Sequence, residues 1–428
     1  MENINAADLY KQRPPAFGHG LLKYFAMDPK SICLNHGAFG SSPYAALKHT
    51  YDLALKGESN PYKFVQNDYK PYISDIRGKL AKLVNAQRDE IVLNNNTSTG
   101  INTVLRNFAW EKGDIIIRFN TTFITVYKAI DNLGDISPLP TISEIELSFP
   151  TTNQQIIDLF RKHLKSLPKH PNQKRVAVID SIVANPGVLM PWQELVKICK
   201  EEGVWSVIDA AHSIGQEQNI NLTKAAPDFW VSDCHKWLYA KRGVAMLYIP
   251  ERNRPIIKTS FPTSHLYKPV AERSVEDFVD QWIWNGTPDW SPILSIGAAL
   301  DFRKWIGGEA KISEYCHNLA LEGGRRMAEI FGTRVIDPNG ELTVNMVNVE
   351  LPFPDTIPFS PQINASFMTK MFDERNAQSA PYYHNGRWWV RCCAQVYNEL
   401  EDFEKLAKHW IEVCDEVKRE EDSRKVKL

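Results

Sequence analysis

WSVIDAAHSIG, residues 205–215, is an apolar run that ends on a carboxylate, Asp209. Left unpaired, a carboxylate at the end of a buried strand is costly, so Asp209 needs a cationic partner. Similar runs lie on either side: DIIIRF (114–119), RVAVID (175–180) and DFWVSD (228–233). The helical patterns NQQIIDLFRKHLKSL and PWQELVKICKEEG lie between them. Strands alternating with helices predict a parallel sheet covered by helices on both faces. Such sheets collect ligands at the carboxyl ends of their strands. Asp209 is at one such end, and His212 follows it by one helical turn. Lys236 comes after the next strand, in SDCHKW. Upstream, EIVLNN (90–95) breaks into Asn96-Thr97-Ser98-Thr99-Gly100 and then a helical pattern. Strand, polar turn and helix expose free N–H groups to an anion.

The bulk numbers bound the function. The chain has 428 residues, enough for a large core and two domains, with 43% hydrophobic and 24% charged residues. Its net charge of −1 offers no footprint for nucleic acid or an anionic membrane. No apolar run nears the ~20 residues of a membrane span, and the first twenty residues lack a signal-peptide core. The seven cysteines form no CxxC pair, so no metal site is expected; reduced thiols in the cytoplasm are. The basic end, Lys425-Val426-Lys427, reads as a solvated tail. Composition shifts divide the chain into an irregular arm at 1–30, a large cofactor-binding domain at 31–300 and a small α+β domain at 301–428.

One cofactor requires a lysine amine for its aldehyde, a carboxylate for its ring nitrogen, and hydroxyls with a helix N-terminus for its phosphate. It is pyridoxal 5′-phosphate. VIDAAHSIG followed by SDCHKW resembles the class V group of fold-type I pyridoxal-phosphate enzymes, in its isopenicillin N epimerase-like branch. LNHGAFGSSP (34–43), GESNPYKF (57–64), NNTSTGIN (95–102), NPGVLMP (185–191), WNGTPD (284–289) and WWVRCCAQVYNELEDFEKL (388–406) extend the likeness over nearly the whole chain.

The resemblance implies an aminotransferase-like fold, with a mostly parallel seven-stranded sheet between helices and a smaller C-terminal α+β domain. It also implies roles. Lys236 would hold the cofactor's aldehyde and then move the substrate's Cα proton, Asp209 would face the ring nitrogen, and His212 would contact the ring 3′-oxygen. Thr97, Ser98, Ser232 and His235 would hold the phosphate. Thr287 would reach the phosphate of a second subunit, making a homodimer with shared sites. Phe123 (with Thr122 as a neighbouring alternative) would stack on the ring. Arg391 would clamp the substrate carboxylate, and Asn35 and His36 would line the pocket entrance. Singly, each has a plainer reading: Thr-Ser-Thr caps a helix, Asp-x-x-His makes a turn, and Arg391 is a snorkelled strand residue.

An arginine for an α-carboxylate predicts an amino-acid substrate. Cysteine desulfurases of this class carry a nucleophilic cysteine shortly before that arginine, and here none occurs between Cys316 and Cys392. The expected reaction is C–S bond cleavage by β-elimination, as in the ergothioneine-pathway lyase. Three alternatives stay open: γ-elimination with C–C bond formation of the loline-pathway type, in secondary metabolism; epimerisation; and binding of a phosphorylated metabolite without catalysis. A serine hydrolase would need G-x-S-x-G, which is absent.

Overall fold

The computed structural model describes residues 6–136 and 140–426. The first five residues of the expected arm, and Lys427 of the basic tail with Leu428, lie outside them. The central sheet contains β1 (Ile91–Asn94), β2 (Ile115–Phe119), β3 (Thr141–Ile145), β4 (Arg175–Asp180), β5 (Trp205–Asp209), β6 (Phe229–Asp233) and β7 (Ala245–Tyr248). The spatial order is β1-β7-β6-β5-β4-β2-β3. β7 is antiparallel to both of its neighbours, and the other pairs are parallel. This is the seven-stranded, mostly parallel sheet that the motifs implied.

Helices cover both faces, so β4 is buried at all six positions rather than at every second one. Its alternate residues enter two cores. Ala177 and Ile179 join one; Val176 and Val178 join the other, with Val207 of β5, Val231 of β6 and Ile101, Val104 and Leu105 of the helix after β1. That helix is α1 (Thr97–Asn107), capped by the Asn96 side chain, which accepts from Thr99 N–H at 2.8 Å. The next, α2 (Ile124–Gly134), follows β2 across a short turn and starts directly after Phe123.

A third core is built from the C-terminal region. Strands β8 (Met346–Glu350), β9 (Ala380–His384) and β10 (Arg387–Cys393) form an antiparallel sheet in the order β9-β10-β8. It packs beneath helices Glu309–Phe331 and Leu400–Val426. Residues near the N-terminus join this core: Leu21 and Phe25 are buried, and Ile32–Cys33 pairs in parallel with Ala377–Gln378. No helix among the described residues is long and apolar enough to cross a membrane.

Candidate active site

Sheet parity decides which side chains meet. Asp180 ends β4 on the Val176–Val178 side, Asp209 ends β5 on the Val207 side, and Asp233 ends β6 on the Val231 side. Three carboxylates therefore stand at adjacent strand ends on one face, beneath the N-termini of α1 and α2. Asp180 and Asp209 are direct register partners. All three are buried.

Lys236 is the cation of this cluster. Its Nζ lies 3.3 Å from Asp233 Oδ2 and 5.7 Å from the centre of the Phe123 ring. Asp209 Oδ1 accepts from Ala211 N–H at 3.1 Å, while Oδ2 has no hydrogen-bond partner among the described residues. Burial pushes Asp209 up to about 6, against the pull of Lys236. His212 is buried and accepts at Nδ1 from Trp237 Nε1–H, at 3.2 Å. Burial, then the charges of Lys236 and Arg391, holds its pKa well down. A neutral ring with Nδ1 as acceptor carries its proton on Nε2, a donor suited to an anionic oxygen.

At α1, Thr97 N–H donates to Asp233 Oδ1 at 2.8 Å, and the buried Thr97 hydroxyl has no partner among the described residues. Ser98 is half-buried in the same first turn. His235 is mostly buried, with Nδ1 3.4 Å from Val244 O and 3.9 Å from Asp233 Oδ1. Phe123, at the start of α2, is partly exposed.

Two expected site residues sit elsewhere. Ser232 lies on the opposite sheet face from Asp233, fully buried, where its hydroxyl donates to Ala210 O at 2.5 Å and accepts from Ile214 N–H at 3.1 Å. It ties β6 to the turn after β5 and is turned away from the α1 N-terminus. His36 does not line an entrance. It is buried among Trp237, Tyr239 and Tyr397, with Nδ1 2.8 Å from Tyr397 Oη, and burial holds its pKa down to about 3.

The LNHGAFG turn instead forms the back wall of the lysine segment. A Cβ on Gly37 would lie 2.6 Å from Trp237 Cζ2, and one on Gly40 would strike the carbonyl oxygen of His235. Gly40 also has φ +67°, which glycine adopts without strain.

Arg391, on β10, reaches the same region. Its Nη1 donates to Ala184 O at 2.5 Å and its Nη2 to Asn35 Oδ1 at 2.9 Å. A Cβ on Gly187 would sit 2.8 Å from Arg391 Cδ, so this glycine leaves the arginine its path. Thr287 is exposed on the loop at 285–290 and makes no hydrogen bond to the cluster among the described residues.

These groups fit pyridoxal phosphate. The buried Asp209 Oδ2 and Thr97 hydroxyl await a donor and an acceptor, and the lysine amine lies over the Phe123 ring. Asp180 and Asp233 were not anticipated as site residues. Both end apolar strands on aspartate, the same signal that singled out Asp209.

Comparison with known proteins agrees. Residues 46–356 match the family model described as Aminotransferase class-V. The L-cysteine desulfhydrase-like protein lolT1 of Epichloe uncinata is 34% identical, over 94% of this chain and 96% of its own. The hercynylcysteine sulfoxide lyase of Schizosaccharomyces pombe is 31% identical, over 93% and 98%. Among solved structures, the cystine C-S lyase C-DES, in complex with cysteine persulfide, superimposes with a TM-score of 0.73 at 16% identity, over 90% of this chain and 97% of its own. The chain belongs to the aminotransferase class-V family and is a pyridoxal-phosphate-dependent enzyme.

Proposed function

We propose that this enzyme cleaves the Cβ–S bond of a cysteine-derived amino acid by β-elimination. The observation that carries the reading is the state of its thiols. All seven cysteines are free and buried, and burial pushes every one of them up, Cys33 to about 11 and Cys316 to about 12. No thiolate is available to take sulfur onto the protein. Sulfur then departs with the leaving group, the chemistry named in the hercynylcysteine sulfoxide lyase and desulfhydrase-like relatives.

When bound, pyridoxal phosphate supplies an electron sink for the bond broken at Cα. The residues do the rest. Thr97, Ser98 and His235 hold the phosphate beside the α1 N-terminus. Asp209 holds the proton on the ring nitrogen, and His212 donates from Nε2 to the 3′-oxygen. Phe123 covers the ring. Arg391, fixed by Asn35 and Ala184, binds the substrate α-carboxylate. Lys236 Nζ takes the Cα proton; a Cα–Cβ double bond forms, and the Cβ–S electron pair leaves with sulfur.

We also infer that two copies share their sites, which the exposed Thr287 supports. A division at about residues 30 and 300, a cytoplasmic location and a role in secondary metabolism complete this reading. The buried thiols support a reducing compartment.

Holoenzyme incubated with L-cysteine, cysteine sulfoxides and O-acetylhomoserine tests the reaction. Pyruvate or its analogue, formed in step with the released sulfur species and lost in Lys236→Ala, is the expected result. Solvent hydrogen exchange at Cα without sulfur release replaces it with epimerisation. A new C–C bond from O-acetylhomoserine replaces it with γ-elimination.

A further inference from the structure

Asp180 and Asp209 end adjacent parallel strands in register, on one face of the sheet, exposed by only 3% and 2%. Each has an Oδ2 without a hydrogen-bond partner among the described residues. Two like charges on neighbouring strand-end side chains in a dry site do not both persist. The cations of the face are already committed. Lys236 lies against Asp233 at 3.3 Å, and Arg118, on β2, is held by Asp131 at 2.6 Å and Glu144 at 2.9 Å. His212 and His235 are kept neutral by burial. One proton must therefore reside on the Asp180–Asp209 pair.

Its place is set by the neighbours. Asp209 receives the Ala211 N–H and the field of Lys236. Asp180 is raised by burial and then by the charge of Asp209, and the Phe123 N–H and Thr122 hydroxyl, which favour its ionised form, do not outweigh them. We propose that Asp180 is a positioning residue of this site: as a neutral carboxylic acid it carries the pair's single proton, leaving Asp209 ionised toward the ring nitrogen. This rests on the reading of Asp209 as the ring-nitrogen partner. A neutral acid both donates and accepts, so it can face the Thr122–Phe123 turn while removing a like charge from beside Asp209.

Isotope-edited infrared spectroscopy of holoenzyme labelled at aspartate carboxyl carbons tests the proton's location. The wild type should show the carbonyl stretch of a protonated carboxylic acid at neutral pH, and Asp180→Asn should lose it. The cofactor dissociation constant, read from visible absorbance, should change less than about threefold in Asp180→Asn, which keeps a neutral group of the same shape. In Asp209→Asn it should rise at least about tenfold. A wild-type spectrum without the band overturns the proposal, as does an Asp180→Asn that loses cofactor like Asp209→Asn. An Asp209→Asn that binds as the wild type does, with the band intact, overturns instead the ring-nitrogen reading. Should Asp180→Asn not fold, the wild-type spectrum alone decides whether the band exists, and Asp180→Ser assigns it.

Discussion

Asp233 bridges the two halves of the site: one oxygen caps the Thr97 N–H at 2.8 Å, and the other lies 3.3 Å from the amine of Lys236. The carboxylate satisfies a helix N-terminus and a buried ammonium at once. It also sets where Lys236 rests.

Asp233→Ala should therefore cost about 2 kcal/mol of stability, measured by denaturant unfolding of the apoprotein, because it orphans a buried N–H and a lysine together. Asp233→Asn keeps the cap and should recover most of that loss. Equal stability in all three proteins would show that the pair contributes nothing.

Asp209 yields a pH prediction. Its folded pKa of about 6 lies above its ordinary value of 3.8. A raised carboxyl contributes stability that is fully present below pH 4 and disappears as pH climbs through 6. Apoprotein should thus lose about 2 kcal/mol relative to Asp209→Asn between those limits. Unfolding midpoints at several pH values check this, and parallel curves for the two proteins would refute it. In the holoenzyme, the cofactor's ring N–H offsets the buried charge and flattens the difference. Turnover of Asp209→Asn should fall by about a hundredfold.

Trp237 fixes the His212 tautomer through one hydrogen bond. Nitrogen NMR of the labelled protein should find His212 neutral near pH 7, protonated at Nε2 and bare at Nδ1. Trp237→Phe should release that preference and weaken cofactor binding by about tenfold, the worth of one buried hydrogen bond. A charged ring between pH 6 and 7 would contradict the assignment.

Arg391→Ala should raise KM for amino-acid substrates by about a hundredfold while leaving the resting visible spectrum in place. Asn35→Ala should follow in the same direction, by about fivefold, because Asn35 holds the guanidinium at 2.9 Å without being its charge partner. An Asn35 variant that altered kcat alone would remove it from carboxylate binding.

The parts read most easily from the sequence are those where one residue type has one physical use. A lysine among small polar residues, after a strand that follows an aspartate-terminated one, marks a buried ion cluster, and the structure brings Lys236, Phe123 and Asp233 together. Adjacent residues were harder. Ser232 and Asp233 differ only in parity, and counting by twos from Val231, which packs against α1, would have turned Asp233 toward the helix and Ser232 away. RVAVID reports a strand, and nothing in it says that its terminal Asp180 stands beside Asp209. β3 carries no such signal because its sequence, TISEI, is polar. It is an edge strand, exposed or half-buried at all but its last position, and the hydrophobic signal is weak there. The fate of His36 depended on distant aromatic residues, Tyr239 and Tyr397, that no local pattern reports.

The back wall formed by Gly37 and Gly40 makes a remote part of the chain answerable for the reaction centre. The turn presses on the His235–Lys236 backbone from behind, while Asn35 beside it steers the arginine in front. A variant shortened past Gly40, or fused to a bulky partner there, would loosen both supports together, even though some two hundred positions of sequence separate that turn from the lysine.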